Sequence, residues 1–151
     1  MGAIVGDTIG SAYEFSPTKD YDFDMYHKFS EYTDDSVMTA AIANAVLTDK
    51  NLSPRVVISS MKSYGQEHPT VGYGGTFARW LRAGNEPYNS WGNGSAMRVS
   101  ACGFAYDTLQ ETLDAAKRSA EVTHNHPEGI KGAQATAAAI FMQETAQARK
   151  R

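Results

Sequence analysis

Apolar residues recur three and four positions apart along most of the chain, and they rarely alternate for long enough to form a strand. The run Ser36-Val-Met-Thr-Ala-Ala-Ile-Ala-Asn-Ala-Val-Leu47 has this spacing and predicts an amphipathic helix. Ser53-Pro54 offers an N-cap followed by proline at the first helical position, so Arg55 to Tyr64 should continue as a helix until Gly65 stops it. Thr76 to Ala83 should end in the same way at Gly84. Thr108-Leu-Gln-Glu111 has the spacing of a capping box and opens a helix through about Val122. Pro127 then begins a last, alanine-rich helix that runs toward Arg149-Lys-Arg151, whose charges suit the negative end of the helix dipole.

The opening segment is also helical in pattern. Gly2, Gly6 and Gly10 fall four residues apart with Ile4, Val5 and Ile9 around them, which predicts a helix through Glu14 pressed closely onto a neighbour along its glycine face. Residues 15–32 hold Pro17 and the acids Asp20, Asp22, Asp24 and Glu31 among aromatics, keep no period, and read as an ordered loop. The expected fold class is therefore all α. Residues 1–151 form a single domain, with no internal repeat.

Composition narrows the range of functions. A 42% hydrophobic content is enough for one core, and a net charge of −3 leaves no broad basic surface for nucleic acid or an anionic membrane. No secretory leader or membrane-spanning run is visible, and the single Cys102 can form neither an internal disulfide nor a cysteine-rich zinc site. A cytoplasmic location is the expectation. Cys102, followed by Gly103 and Phe104, reads as a small buried side chain.

The polar residues with chemical potential cluster at element boundaries. Thr33-Asp34-Asp35, just ahead of the second helix, puts two carboxylates beside a hydroxyl. Such hard oxygens suit Mg²⁺ or Mn²⁺, and the same three residues also suit a helix N-terminus as caps. Trp91-Gly-Asn-Gly-Ser-Ala-Met-Arg98 joins a glycine-rich turn to a helix start. Its backbone amides, with Ser95 and Arg98, could cradle a phosphate, or the glycines could simply serve a tight turn. Gly72-Tyr-Gly-Gly75 is a weaker version of the same pattern. In Thr123-His-Asn-His-Pro127, His124 and His126 could transfer protons, donate to phosphate or bind metal, or the loop could cap its helices through Thr123 and Asn125. Histidines two apart do not share a helical face, which disfavours zinc.

Taken in order, Gly2-Ala-Ile-Val-Gly-Asp-Thr-Ile-Gly-Ser-Ala-Tyr-Glu14, Thr33-Asp-Asp-Ser-Val-Met-Thr39, Gly92-Asn-Gly-Ser-Ala-Met-Arg98 and Thr123-His-Asn-His-Pro-Glu-Gly-Ile-Lys-Gly132 resemble the ADP-ribosylglycohydrolase family, of the dinitrogenase-reductase-activating type. The resemblance extends from residue 2 to about residue 141. It implies a compact orthogonal bundle of helices around a binuclear Mg²⁺ or Mn²⁺ centre. It also implies hydrolysis of the C1″ N- or O-glycosidic bond of an ADP-ribosylated protein or small molecule.

By the same resemblance Thr33, Asp34 and Asp35 are metal ligands, and Glu14, Asp34 and Asp35 form the catalytic carboxylates. Gly92, Asn93, Gly94 and Ser95 would surround the diphosphate and His124 would lie against the substrate, while Asp7 is expected to be structural.

One departure stands out. Members of that family run well beyond this length and carry a second acidic motif, Asp-x-Asp-[Ser/Thr], near their C-terminus. The only Asp-x-Asp here, Asp22-Phe-Asp24, precedes the triplet and is followed by Met25, so it cannot take that role. The chain therefore reads as C-terminally truncated relative to the family. The expected consequences are weak metal binding, impaired hydrolysis, and a partner that replaces the absent part: a homodimer or a separate C-terminal half. The alternative is a non-catalytic ADP-ribose-binding or structural, crystallin-like relative.

Overall fold

The computed structural model describes residues 1–148. Arg149-Lys-Arg151, and the helix-end role expected of its charges, lie outside the described residues. Helices follow one another as α1 (Gly2–Ser11), α2 (Asp34–Thr48), α3 (Pro54–Glu67), α4 (Gly75–Ala83), α5 (Gly94–Met97), α6 (Ser100–Phe104), α7 (Leu109–Glu121) and α8 (Pro127–Ala148). No strand occurs among the described residues, so the all-α expectation holds.

α2 is the hub. It packs against α3 and α1 and is crossed by α5 and α6, while α7 lies along α8 and α8 covers the short helices. Its expected one-sided amphipathicity is not what forms. Ser36, Val37, Met38 and Thr39 are consecutive and all buried, as a helix requires when neighbours enclose it on several sides. Small side chains let the helices approach closely: Ala41, Ala45, Ala115, Ala116, Ala120, Ala133 and Ala137 join Met38, Ile42, Val57 and Met61 in the core.

The glycines serve packing at places other than those the spacing indicated. A Cβ at Gly2, Gly6 or Gly10 would meet nothing within 4 Å, and α1 buries none of its residues. The close crossing is instead between α6 and α8, where a Cβ on Gly103 would stand 2.6 Å from Ile140 and 3.0 Å from the carbonyl of Ala137. Gly65 does not end α3, which runs on to Glu67, because that bare Cα admits the Leu81 side chain of α4.

The caps match the sequence more closely. Thr108 and Glu111 form both halves of the capping box, and Gly84 follows α4 as its C-cap. α1 ends at Ser11, so Glu14 lies beyond it at the start of the loop. That loop exposes Phe15, Tyr21 and Tyr26 and is tied back by Tyr13 to the carbonyl of Asp24 and by Glu31 to Ser11. No described helix is long and apolar enough to cross a membrane.

Two glycine substitutions are expected to move stability in opposite directions. Gly103→Ala should lower it by about 1–3 kcal/mol, because the methyl group meets a branched Cβ and a backbone oxygen. Gly6→Ala, in open space within α1, should raise it by about 0.5–1 kcal/mol. Thermal melts of the two variants provide the check, and equal shifts would contradict this packing.

Candidate functional site

The site is organised by a carboxylate that never reaches its centre. Asp7 on α1 accepts from the backbone N–H of Thr33 at 2.8 Å and of Ser36 at 3.1 Å, and from the Thr33 hydroxyl at 2.6 Å. The Ser36 hydroxyl donates to the same carboxylate. These donors are the ones a helix start leaves unpaired, so Asp7 caps α2 from another helix and takes the structural part expected of it. Thr33 is the N-cap itself: its hydroxyl also accepts from the N–H of Asp35 at 3.3 Å.

Asp34 and Asp35 follow directly. Both are partly buried, and the backbone N–H of Asp34 donates to Val71. Among the described residues no other residue donates to either carboxylate, and both lie within reach of other acids. Burial, then the charges of Asp35, Glu14 and Asp7, push the carboxyl of Asp34 up to about 6. Burial, then Asp7 and Glu14, raises that of Asp35 as well. This is an uncompensated cluster of negative charge, which is the electrostatic condition a cation relieves.

The donors do not all converge on one point, however. Asp34 faces a cleft of about 280 Å³ that also contains Gly92, Asn93, Gly94 and His124. Asp35 lines a wider hollow of about 630 Å³ bounded by α1, α6 and α8, with Asp7 in its wall. Glu14 lines a third, of about 360 Å³, with Glu31, Thr33 and Asp34. Asp34 is thus shared between two hollows. Among the described residues no three His, Cys, Asp or Glu side chains stand close enough together to hold one ion. As a metal site, Thr33, Asp34 and Asp35 have the right oxygen chemistry and unpaired charge but supply only part of a coordination sphere, with the Thr33 hydroxyl already committed to Asp7.

On the other wall of the 280 Å³ cleft lie Gly74, Gly75 and Thr76, and aromatic sides come from Phe77 and Tyr88. Gly72 is the only described glycine with a positive φ, of 92°, so the turn explanation applies there and not at Gly92 or Gly94. Gly94 is needed for a different reason: a Cβ would sit 3.0 Å from Cε1 and Nε2 of His124. Ser95 is turned away, buried and donating its hydroxyl to the carbonyl of Gly129 at 2.7 Å, and it does not line the cleft.

His124 is 5% exposed, and burial followed by the charge of Arg98 lowers its pKa to about 4. Arg98 lies behind it, 1% exposed, donating from Nη2 to Ser119 and Thr123. His126 is further out, beside Trp91, and accepts from the N–H of Glu128. Cys102 is fully buried and its thiol is pushed up to about 12 by that burial, in keeping with an inert core residue.

Sequence reasoning gave no part in the site to Tyr88 and Phe77, which belong to no motif, and gave Thr123 only a capping part; the weak Gly72-Tyr-Gly-Gly75 pattern was the one signal for the segment that precedes Phe77.

The ADP-ribosylhydrolase ARH3 of Homo sapiens is 28% identical over 172 residues, covering 93% of this chain and 47% of that protein. The ARH3 of Xenopus tropicalis is 26% identical over 93% of this chain and 47% of its own length, and that of Gallus gallus is 30% identical over 74% and 34%. The chain thus spans about half the length of the curated relatives it matches. The sequence model for ADP-ribosylglycohydrolase matches residues 1–150, and the chain belongs to the ADP-ribosylglycohydrolase family.

Proposed function

We propose that this chain binds ADP-ribosyl groups in the 280 Å³ cleft and takes part in hydrolysing their C1″ glycosidic bond. The observation that carries the reading is the lining of that cleft: the unpaired carboxylate of Asp34 together with a neutral imidazole backed by the buried cation of Arg98. A diphosphate fits near the glycine walls and His124, where bare backbone permits close approach. The distal ribose then points to the acidic end, where Asp34 and Glu14 orient its hydroxyls or a water molecule. Charge that develops at an oxocarbenium-like anomeric carbon is favoured beside such carboxylates.

In this reading Thr33, Asp34 and Asp35 hold Mg²⁺ or Mn²⁺, with water completing the shell. A divalent ion supplies Lewis acidity and charge stabilisation when bound. A binuclear centre requires further oxygens, for which the candidate sources are a homodimer partner and a polypeptide segment equivalent to the remaining half of the relatives, seated over the 630 Å³ hollow. A cytoplasmic protein carrying an ADP-ribosyl group, or a small ADP-ribosylated molecule, is the substrate class.

A second reading, a binding or structural relative without turnover, is favoured by one observation: Asp34 and Asp35 line different hollows. Calorimetry with ADP-ribose, with and without Mg²⁺, combined with release of ADP-ribose from a mono-ADP-ribosylated protein, separates the two. Metal-dependent release that Asp34→Asn lowers at least about a hundredfold supports the hydrolase. Binding without release supports a binding relative, and no binding overturns the hydrolase and leaves the structural relative.

The raised pKa of Asp34 gives a separate expectation in metal-free protein. Its folded value of about 6 lies above the ordinary 3.8, so the fold takes up the proton more readily than the unfolded chain. Stability is therefore lost as pH rises from about 4 through 6, and the penalty remains above that. Asp34→Asn should raise Tm at pH 7–8 with a chelator present and leave it unchanged near pH 3.5. Added Mg²⁺ should raise the Tm of the wild type more than that of the variant. A variant that melts lower at pH 7–8 would show that its carboxylate is not the unpaired group described here.

A further inference from the structure

We propose that Thr123, held by Arg98, locks His124 in the tautomer that carries its proton on Nε2, so that His124 acts on a cleft ligand as a hydrogen-bond donor and not as a base. The proposal rests on the ADP-ribose reading only for the identity of that ligand. The argument is an accounting of hydrogens. Nη2 of Arg98 has two, donated to the carbonyl of Ser119 and to Oγ1 of Thr123, both at 2.9 Å. Thr123 is fully buried, so its own hydroxyl hydrogen must find an acceptor inside the protein. The acceptor within reach is Nδ1 of His124, at 2.8 Å. A proton on Nδ1 would leave the threonine hydrogen buried and unpaired.

The surroundings keep this chain of bonds in register. The carbonyl of Thr123 accepts from the N–H groups of Tyr88 and Ser90, and the N–H of His124 donates to Ala120, so neither residue is free to rotate away. Nε2 then emerges against Gly94, where the missing Cβ gives it access to the cleft. Burial beside Arg98 keeps the ring neutral through the physiological range, with one proton to place. The group best received there is an oxygen without hydrogen, such as a diphosphate oxygen. Thr123 is a positioning residue, since it touches the imidazole and not the ligand.

The test is the imidazole ¹⁵N spectrum of the full chain together with its affinity for ADP-ribose. The wild type should show His124 protonated at Nε2 and bare at Nδ1. Thr123→Ser should preserve that signature and the affinity. Thr123→Val should mix the tautomers and weaken ADP-ribose about tenfold. A wild-type spectrum with the proton on Nδ1 overturns the proposal, as does a folded Thr123→Val protein whose tautomer is unchanged. If Thr123→Val does not fold, the wild-type and Thr123→Ser spectra still decide. A wild type that has the expected tautomer yet ignores ADP-ribose leaves the lock standing and removes the functional reading instead.

Discussion

The bond set between Asp7 and the start of α2 is the constraint on which the rest of the site depends. One side chain from α1 takes the N–H groups of Thr33 and Ser36 and the hydroxyls of both residues. This docks α1, which has no buried residue of its own, onto the helix at the centre of the core. It also provides the capping that Asp34 and Asp35 would otherwise be recruited to supply. Freed from that duty, their carboxylates stand partly buried without donors, which costs stability and creates demand for a positive charge. Of the two readings that the tripeptide alone leaves open, capping falls to Asp7 and Thr33, and the carboxylates of Asp34 and Asp35 are left available for the ligand role proposed for them.

The cleft combines two kinds of group: Asp34 at the N-terminus of α2, with other acids close by, and His124, uncharged, beside Arg98. Arg98 has no carboxylate partner among the described residues, and burial lowers its pKa to about 10. A guanidinium placed there shapes the field of the cleft at the expense of stability, a pattern common at binding sites and rare in plain cores. The proposed ligand has the matching polarity, an anionic diphosphate joined to a neutral ribose.

Relatives in the ADP-ribosylglycohydrolase family extend over about twice the matched region. The glycine face of α1 opens onto unfilled space, with Phe104 of α6 exposed in the wall of the same hollow. Asp35 lines that hollow, whereas Asp34 looks into the cleft. Asp34 and Asp35 are adjacent in sequence, so the cleft and the hollow meet at the N-terminus of α2.

Much of this could be read from the chain alone because it is local. Helical spacing, the Thr108–Glu111 capping box, proline at the start of α3 and α8, and the ordered set of motifs each depend on residues a few positions apart, and the all-α class and family follow from them. Tertiary structure decided what depends on distant partners. The glycines of α1 face open space while Gly103 makes the close crossing, because which face meets a neighbour is a property of the bundle and not of the spacing. Ser95 spends its hydroxyl on Gly129, and Thr123 joins Arg98 to His124, through bonds that span many residues of sequence. The types of chemical group were fixed by the sequence, but the directions in which they point were fixed only when the helices packed.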